Sequence, residues 1–118
     1  MSSETERDVH KVVALEVSRY SLAGTAEYGE VEYVFSASAK KPPSIWSAKW
    51  KHEFLRVLDE MEFDPDLDYF VLVGQVLPMA IAVNILSQKY RVWRALAFNA
   101  MSQKYQVILM DGSGNNND

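Results

Sequence analysis

The feature that most constrains this chain is the run Tyr69-Phe-Val-Leu-Val73, unbroken apolar sequence between the acidic turn Asp64-Pro-Asp-Leu-Asp68 and Gly74. A short run without polar alternation fits a strand covered on both faces, the place of a central strand in a parallel sheet. Pro78 then presets the helical backbone angle, and Met79 to Tyr90 is rich in Ala, Ile, Val and Leu, so a largely buried helix follows. Asn84 sits within it as a buried amide that needs a hydrogen-bond partner. Arg91 to Phe98 reads as the next strand. Strand, helix and strand in about thirty residues form a βαβ unit with parallel strands and a right-handed crossover. Asn99 to Gln103 is a turn, and Tyr105 to Met110 closes a hairpin.

Upstream, Lys11 to Arg19 carries aliphatic, nearly alternating residues, a strand with one better-buried face. Gly24 and Gly29 mark a hairpin loop before a second strand, in which Val31, Tyr33 and Phe35 alternate with Glu32, Val34 and Ser36. Lys40-Lys-Pro-Pro43 breaks the strand, and Ser44 or Ser47 offers an N-cap. Trp46, Trp50, Phe54, Val57, Leu58 and Met61 then recur at helical steps, a core-facing stripe. The expected fold class is α/β: one domain with a mixed five-stranded sheet in the order β-β-α-β-α-β-β, a Rossmann-like βαβ unit and a C-terminal hairpin. Its ordered core runs over about 10–111, with frayed termini at 1–9 and 112–118.

Composition removes several function classes. The 118 residues contain no cysteine, which excludes disulfides, thiolate zinc sites and cysteine nucleophiles and fits a reducing cytoplasm. No apolar run is long enough to span a membrane, and the polar, acidic start does not fit a signal peptide, so a cytoplasmic protein is expected. A net charge of −4 argues against a general binder of duplex nucleic acid. Charge is uneven, however: the acidic residues from Asp59 to Asp68 are followed by a stretch with Lys89, Arg91, Arg94 and Lys104 and no acid before Asp111.

In open α/β sheets ligands bind beyond the carboxyl ends of the strands, where helix N-termini present free N–H groups. That place falls to Gly74, Gln75 and Val76, whose backbone amides are candidate phosphate donors. Lys89, Arg91 and Arg94 would supply charge, and Asn99 and Ser102 orienting hydrogen bonds. His10 and His52 lack partners at metal-ligand spacing and read as surface residues. Asp64, Asp66 and Asp68 alternate like part of a cation loop, but Pro65 and the missing loop glycine and glutamate favour a helix-terminating turn.

The segment from Asp68 to Gly74, the Pro78 helix ending Leu86-Ser-Gln-Lys-Tyr90, Val92 to Phe98 and the closing hairpin resemble the compact CRISPR-associated ring nucleases and related CARF-like sensors. The likeness covers the C-terminal third. It implies a homodimer or higher oligomer that binds cyclic oligoadenylate in antiviral defence, with manganese where cleavage occurs. The sequence departs from that family at Ser87 or Gln88, where its histidine would stand, and at Asn99-Ala-Met101, which replaces an Asp-Pro-Arg-type turn. Those changes remove a proton-transfer group and a hard metal ligand, so the resemblance implies binding without catalysis and no cofactor. Two other readings stand beside it. One is an interaction subunit that dimerises or docks through Trp46, Trp50 and Trp93 surfaces. The other is a metal-dependent phosphodiesterase using Asp64, Asp66 or Asp68.

Overall fold

Val12, Val13, Ala14 and Leu15 are all buried, and this fixes the place of the first strand. Val13 and Leu15 pack into one apolar cluster while Val12 and Ala14 pack into another, so both faces are covered. The computed structural model describes residues 9–18, 20–35 and 42–112. Strand β1 (Lys11–Glu16) lies between β2 (Glu30–Phe35) and β3 (Tyr69–Val71), parallel to each. The expected β1–β2 hairpin and the expectation of one better-buried face are therefore both corrected. The described residues between β1 and β2, 17–18 and 20–29, do not fold back as a tight turn. They cross one face of the sheet through a short 3-10 turn, Ala23–Thr25, and return the chain to the starting end of β1.

Two helices cover the opposite face. Ser47 caps α1 (Ala48–Glu60), its hydroxyl accepting from the Lys49 N–H at 3.1 Å. Trp50, Phe54 and Leu58 point inward. The helix ends in a Schellman closure, the Phe63 N–H donating to the Leu58 carbonyl and Glu62 to Asp59, with Glu62 left-handed at φ 55°. Trp46 precedes the cap, lies off the helical stripe and is 83% exposed, which corrects its assignment to the core. Helix α2 (Val76–Lys89) starts before Pro78 and buries Ala82, Ile85 and Leu86. Asn84 lies on its exposed side, so the buried amide expected there does not exist.

After α2 come β4 (Val92–Asn99), parallel to β3, and β5 (Lys104–Asp111), antiparallel to β4. The five-stranded sheet has the order β2-β1-β3-β4-β5, and the βαβ unit and closing hairpin stand as expected. A relay of aromatic rings ties α1 to the sheet. Trp50 stacks on Phe54 at 5.4 Å, and Phe54 meets Phe70 and Phe70 meets Trp93 edge to face at 6.1 and 6.3 Å. Such pairs contribute about 1 kcal/mol each beyond their buried area. Of the termini expected to fray, 1–9 and 112–118, all but Val9 and Gly112 lie outside the described residues, as do the Lys40-Lys41 break and the strand ends at Arg19 and Ser36.

Candidate functional site at the carboxyl edge of the sheet

The chain leaves β1 toward β2 on one side and later places β3 and β4 on the other, so β1 and β3 flank the topological switch point. Connections diverge there and leave a crevice beyond the strand ends. Gly74 makes the turn out of β3 with φ at 146°, a torsion costly for a side-chain-bearing residue. A Cβ there would meet only the Met79 side chain at 3.5 Å, so torsion and not crowding requires the glycine.

The crevice encloses about 580 Å³ between Tyr20, Ser21, Gly24, Leu72, Val73, Gly74, Phe98 and Tyr105. Past Tyr20 and Gly74 it opens into a second hollow of about 480 Å³ bounded by Glu16, Val17, Ser18 and Gln75. Phe98 and Tyr105, opposite each other across β4 and β5, form an edge-to-face wall at 5.3 Å. Gly24 rests on the Tyr105 ring, and Tyr28 donates its hydroxyl to the Tyr105 carbonyl at 3.0 Å, which pins the crossing loop over this wall. Burial pushes the Tyr105 phenol above its ordinary pKa, so it stays neutral across the physiological range. Among the described lining residues Glu16 is the one acidic or basic side chain. A wider depression of about 810 Å³ lies at the opposite end of the strands, lined by Val9, His10, Lys11, Glu30 and Glu32 among others.

A family profile described as Phage Pam3 gp32-like protein matches residues 5–111. The chain belongs to that family. No curated protein and no solved structure matches it. The match overturns the likeness to CRISPR-associated ring nucleases and CARF-like sensors, because it embraces the whole C-terminal third on which that likeness rested and assigns it to a phage family. A strand, glycine turn, helix and strand is what any parallel sheet needs at its switch point, so the pattern carried fold and not family.

In this gp32-like chain the residues expected to form one ligand site divide between two ends of the sheet. Gly74 lines the crevice; Gln75 borders it as the residue preceding α2, and Val76 is the first helical residue with its side chain in solvent. Asn99 and Ser102 lie at the same end but build the β4–β5 turn. The Asn99 side-chain oxygen accepts from the Met101 and Ser102 N–H groups at 2.9 and 3.3 Å, and its amide donates to Gln106 at 2.8 Å. Lys89, Arg91 and Arg94 are at the other end. Lys89 closes α2, about 20 Å from the helix start, with its ammonium over the Tyr90 ring. Arg91 immediately precedes β4, which runs parallel to β3, so it stands at the amino end of the sheet. Arg94 lies 4.3 Å over the Tyr69 ring and donates to the Asp66 carbonyl at 2.9 Å and the Tyr69 hydroxyl at 3.3 Å. The cationic half of the expected phosphate cradle is thus absent from the Gly74 mouth, because residues close in sequence to a parallel strand's start cannot reach the previous strand's end.

Other expected roles change too. Trp50 and Trp93 are buried, the latter donating its indole N–H to Ser87, so neither forms a docking surface. Asp68 is fully buried and accepts from the Lys11 and Asp64 N–H groups at 3.1 and 2.8 Å, while Asp64 accepts from the Asp66 N–H at 2.8 Å. These aspartates build the turn into β3, and among the described residues no group of three or more His, Asp or Glu is placed to hold a metal. His52 is exposed on α1, and His10 bonds the Leu67 carbonyl. Sequence reasoning missed Glu16, Tyr20, Phe98 and Tyr105. The legible signal was an aromatic residue in the polar stretch Ser18-Arg-Tyr-Ser21 just past a strand end.

Proposed function

We propose that this gp32-like chain is a non-catalytic docking module of a phage, and that the carboxyl edge of its sheet holds an apolar, basic segment of another protein. The observation that carries the reading is the distribution of exposed large apolar residues. Val17, Tyr20, Trp46, Val76, Leu77, Phe98 and Met101 stand at the carboxyl end, Val107, Ile108 and Leu109 run along the β5 edge with Leu109 opposite Arg94, and Val9 stands at the amino end. Apolar exposure concentrated on one face, beside a crevice with an aromatic wall, is the arrangement of a protein-binding surface. Glu16 in the hollow adds a preference for a cation on the partner and disfavours a phosphate.

Site-specific photo-crosslinking tests this. A photoreactive residue at Tyr20 or Val76, in cells producing the phage proteins, is expected to capture one phage protein, while the same probe at His52 or Gln88 captures none. A peptide spanning the captured segment should then bind the purified chain, and Tyr20→Ser should weaken it by about 2 kcal/mol, the cost of truncating an aromatic anchor. Equal capture from all four positions, or a peptide affinity indifferent to Tyr20→Ser and Glu16→Lys, overturns the reading.

A further inference from the structure

The two edges of the sheet are built differently. On the β2 edge Glu30 and Glu32 place charge along the strand, Glu32 lying 3.6 Å from the Lys11 ammonium, a device that discourages another strand from adding there. On the β5 edge Val107, Ile108 and Leu109 are 43%, 43% and 61% exposed, and the strand pairs with β4 over its whole length without a bulge or a proline. Its backbone direction follows from one hydrogen bond. The Gly112 N–H donates to the Arg91 carbonyl at 3.0 Å, so in an antiparallel ladder the even-numbered positions of β5 turn their backbone groups toward β4. Val107 and Leu109 therefore turn their N–H and C=O groups outward, where no strand among the described residues pairs with them.

We infer that this edge is a homodimer interface, at which β5 of a second copy of the chain adds antiparallel to form a continuous ten-stranded sheet. The strand is complementary to itself in reverse. Lys104 stands at one end and Asp111 at the other, with uncharged residues between, so parallel addition would set each charge beside its like on one face of the sheet, whereas antiparallel addition separates the like charges. A two-fold axis normal to the sheet keeps each face continuous. Centred on Ile108, it sets Ile108 against Ile108 of the copy on the helix-covered face and Val107 against Leu109 on the other. The exposed apolar residues of β5 thus cover one another. Because the axis reverses strand direction, the dimer presents its two carboxyl edges in opposite directions.

Light scattering during size-exclusion chromatography of the full chain tests the inference, with circular dichroism as the check on folding. The expected result is twice the 13.4 kDa chain mass. Ile108→Lys should shift the chain to monomer with its secondary structure intact. Leu109→Pro removes an N–H that β4 does not use, and it should weaken the dimer by about tenfold or more. A monomeric parent chain, or a dimer that survives both Ile108→Lys and Leu109→Pro, overturns the inference.

Discussion

The two ends of the parallel strands use similar side chains for opposite ends. At the amino end polar groups are tied to the fold: Asp68 accepts from two backbone N–H groups, the Lys11 ammonium meets the Met61 carbonyl, and Arg94 is stacked on Tyr69 and bonded to Asp66. At the carboxyl end Trp46, Val76 and Met101 face solvent, and engaged polar side chains such as Ser44, Ser47 and Asn99 serve caps and turns. The contrast teaches that buried hydrogen bonding marks the end that holds the domain together, and unsatisfied apolar surface the end left free for a partner.

Removing Asp68 should break that contrast most forcefully. Asp68→Ala leaves the Lys11 and Asp64 N–H groups without their acceptor in a fully buried site, at about 1–3 kcal/mol for each group stranded. A fall of about 3 kcal/mol or more in the urea-unfolding free energy is expected. Arg94→Ala comes next. It removes a cation over an aromatic ring and a charged hydrogen bond, with an expected loss of about 1–2 kcal/mol and no change in capture at the carboxyl edge. Weakened capture in Arg94→Ala at unchanged stability would place function at the amino end and reverse the comparison. Trp46→Ser and Val76→Ser should change stability by less than about 0.5 kcal/mol, because these side chains are already in water. Their effect should fall on crosslinking yield alone, and an unfolding shift comparable to that of Arg94→Ala would show that they pack more than their exposure indicates.

What could be read from the sequence follows the range of the interactions. The apolar run Tyr69 to Val73, the Ser47 cap and the βαβ unit were legible because each rests on residues near one another in the chain. The parallel pairing of β1 with β2 was not, since two glycines fit a hairpin as well as the turns of a crossing loop, and only packing of Leu22 and Tyr28 against the sheet decides between them. Arg91 and Arg94 looked close to Gly74 because a short helix separates them in sequence, yet that helix carries the chain back to the other end of the sheet. Tyr20 and Phe98 meet across the crevice from loops and strands far apart in the chain, so the site existed only once the strand order was known.

The smallest effect expected concerns the wall of the crevice. Burial raises the Tyr105 phenol above its ordinary value of 10.0, and burial followed by the nearby Glu27 carboxylate raises Tyr28. Between the unfolded and folded values the native chain keeps protons that the unfolded chain has lost. The slope of unfolding free energy with pH is then negative, so this contribution is whole below about pH 10 and is lost as pH climbs through the folded values. Urea midpoints should therefore be flat from neutral pH to about pH 9 and fall above it, and Tyr105→Phe should make the fall shallower while leaving the neutral midpoint nearly unchanged. A variant of Tyr105 that left the alkaline slope untouched would mean the wall opens before its phenol ionises, and that the crossing loop, not the ring itself, is the weak point of the carboxyl edge.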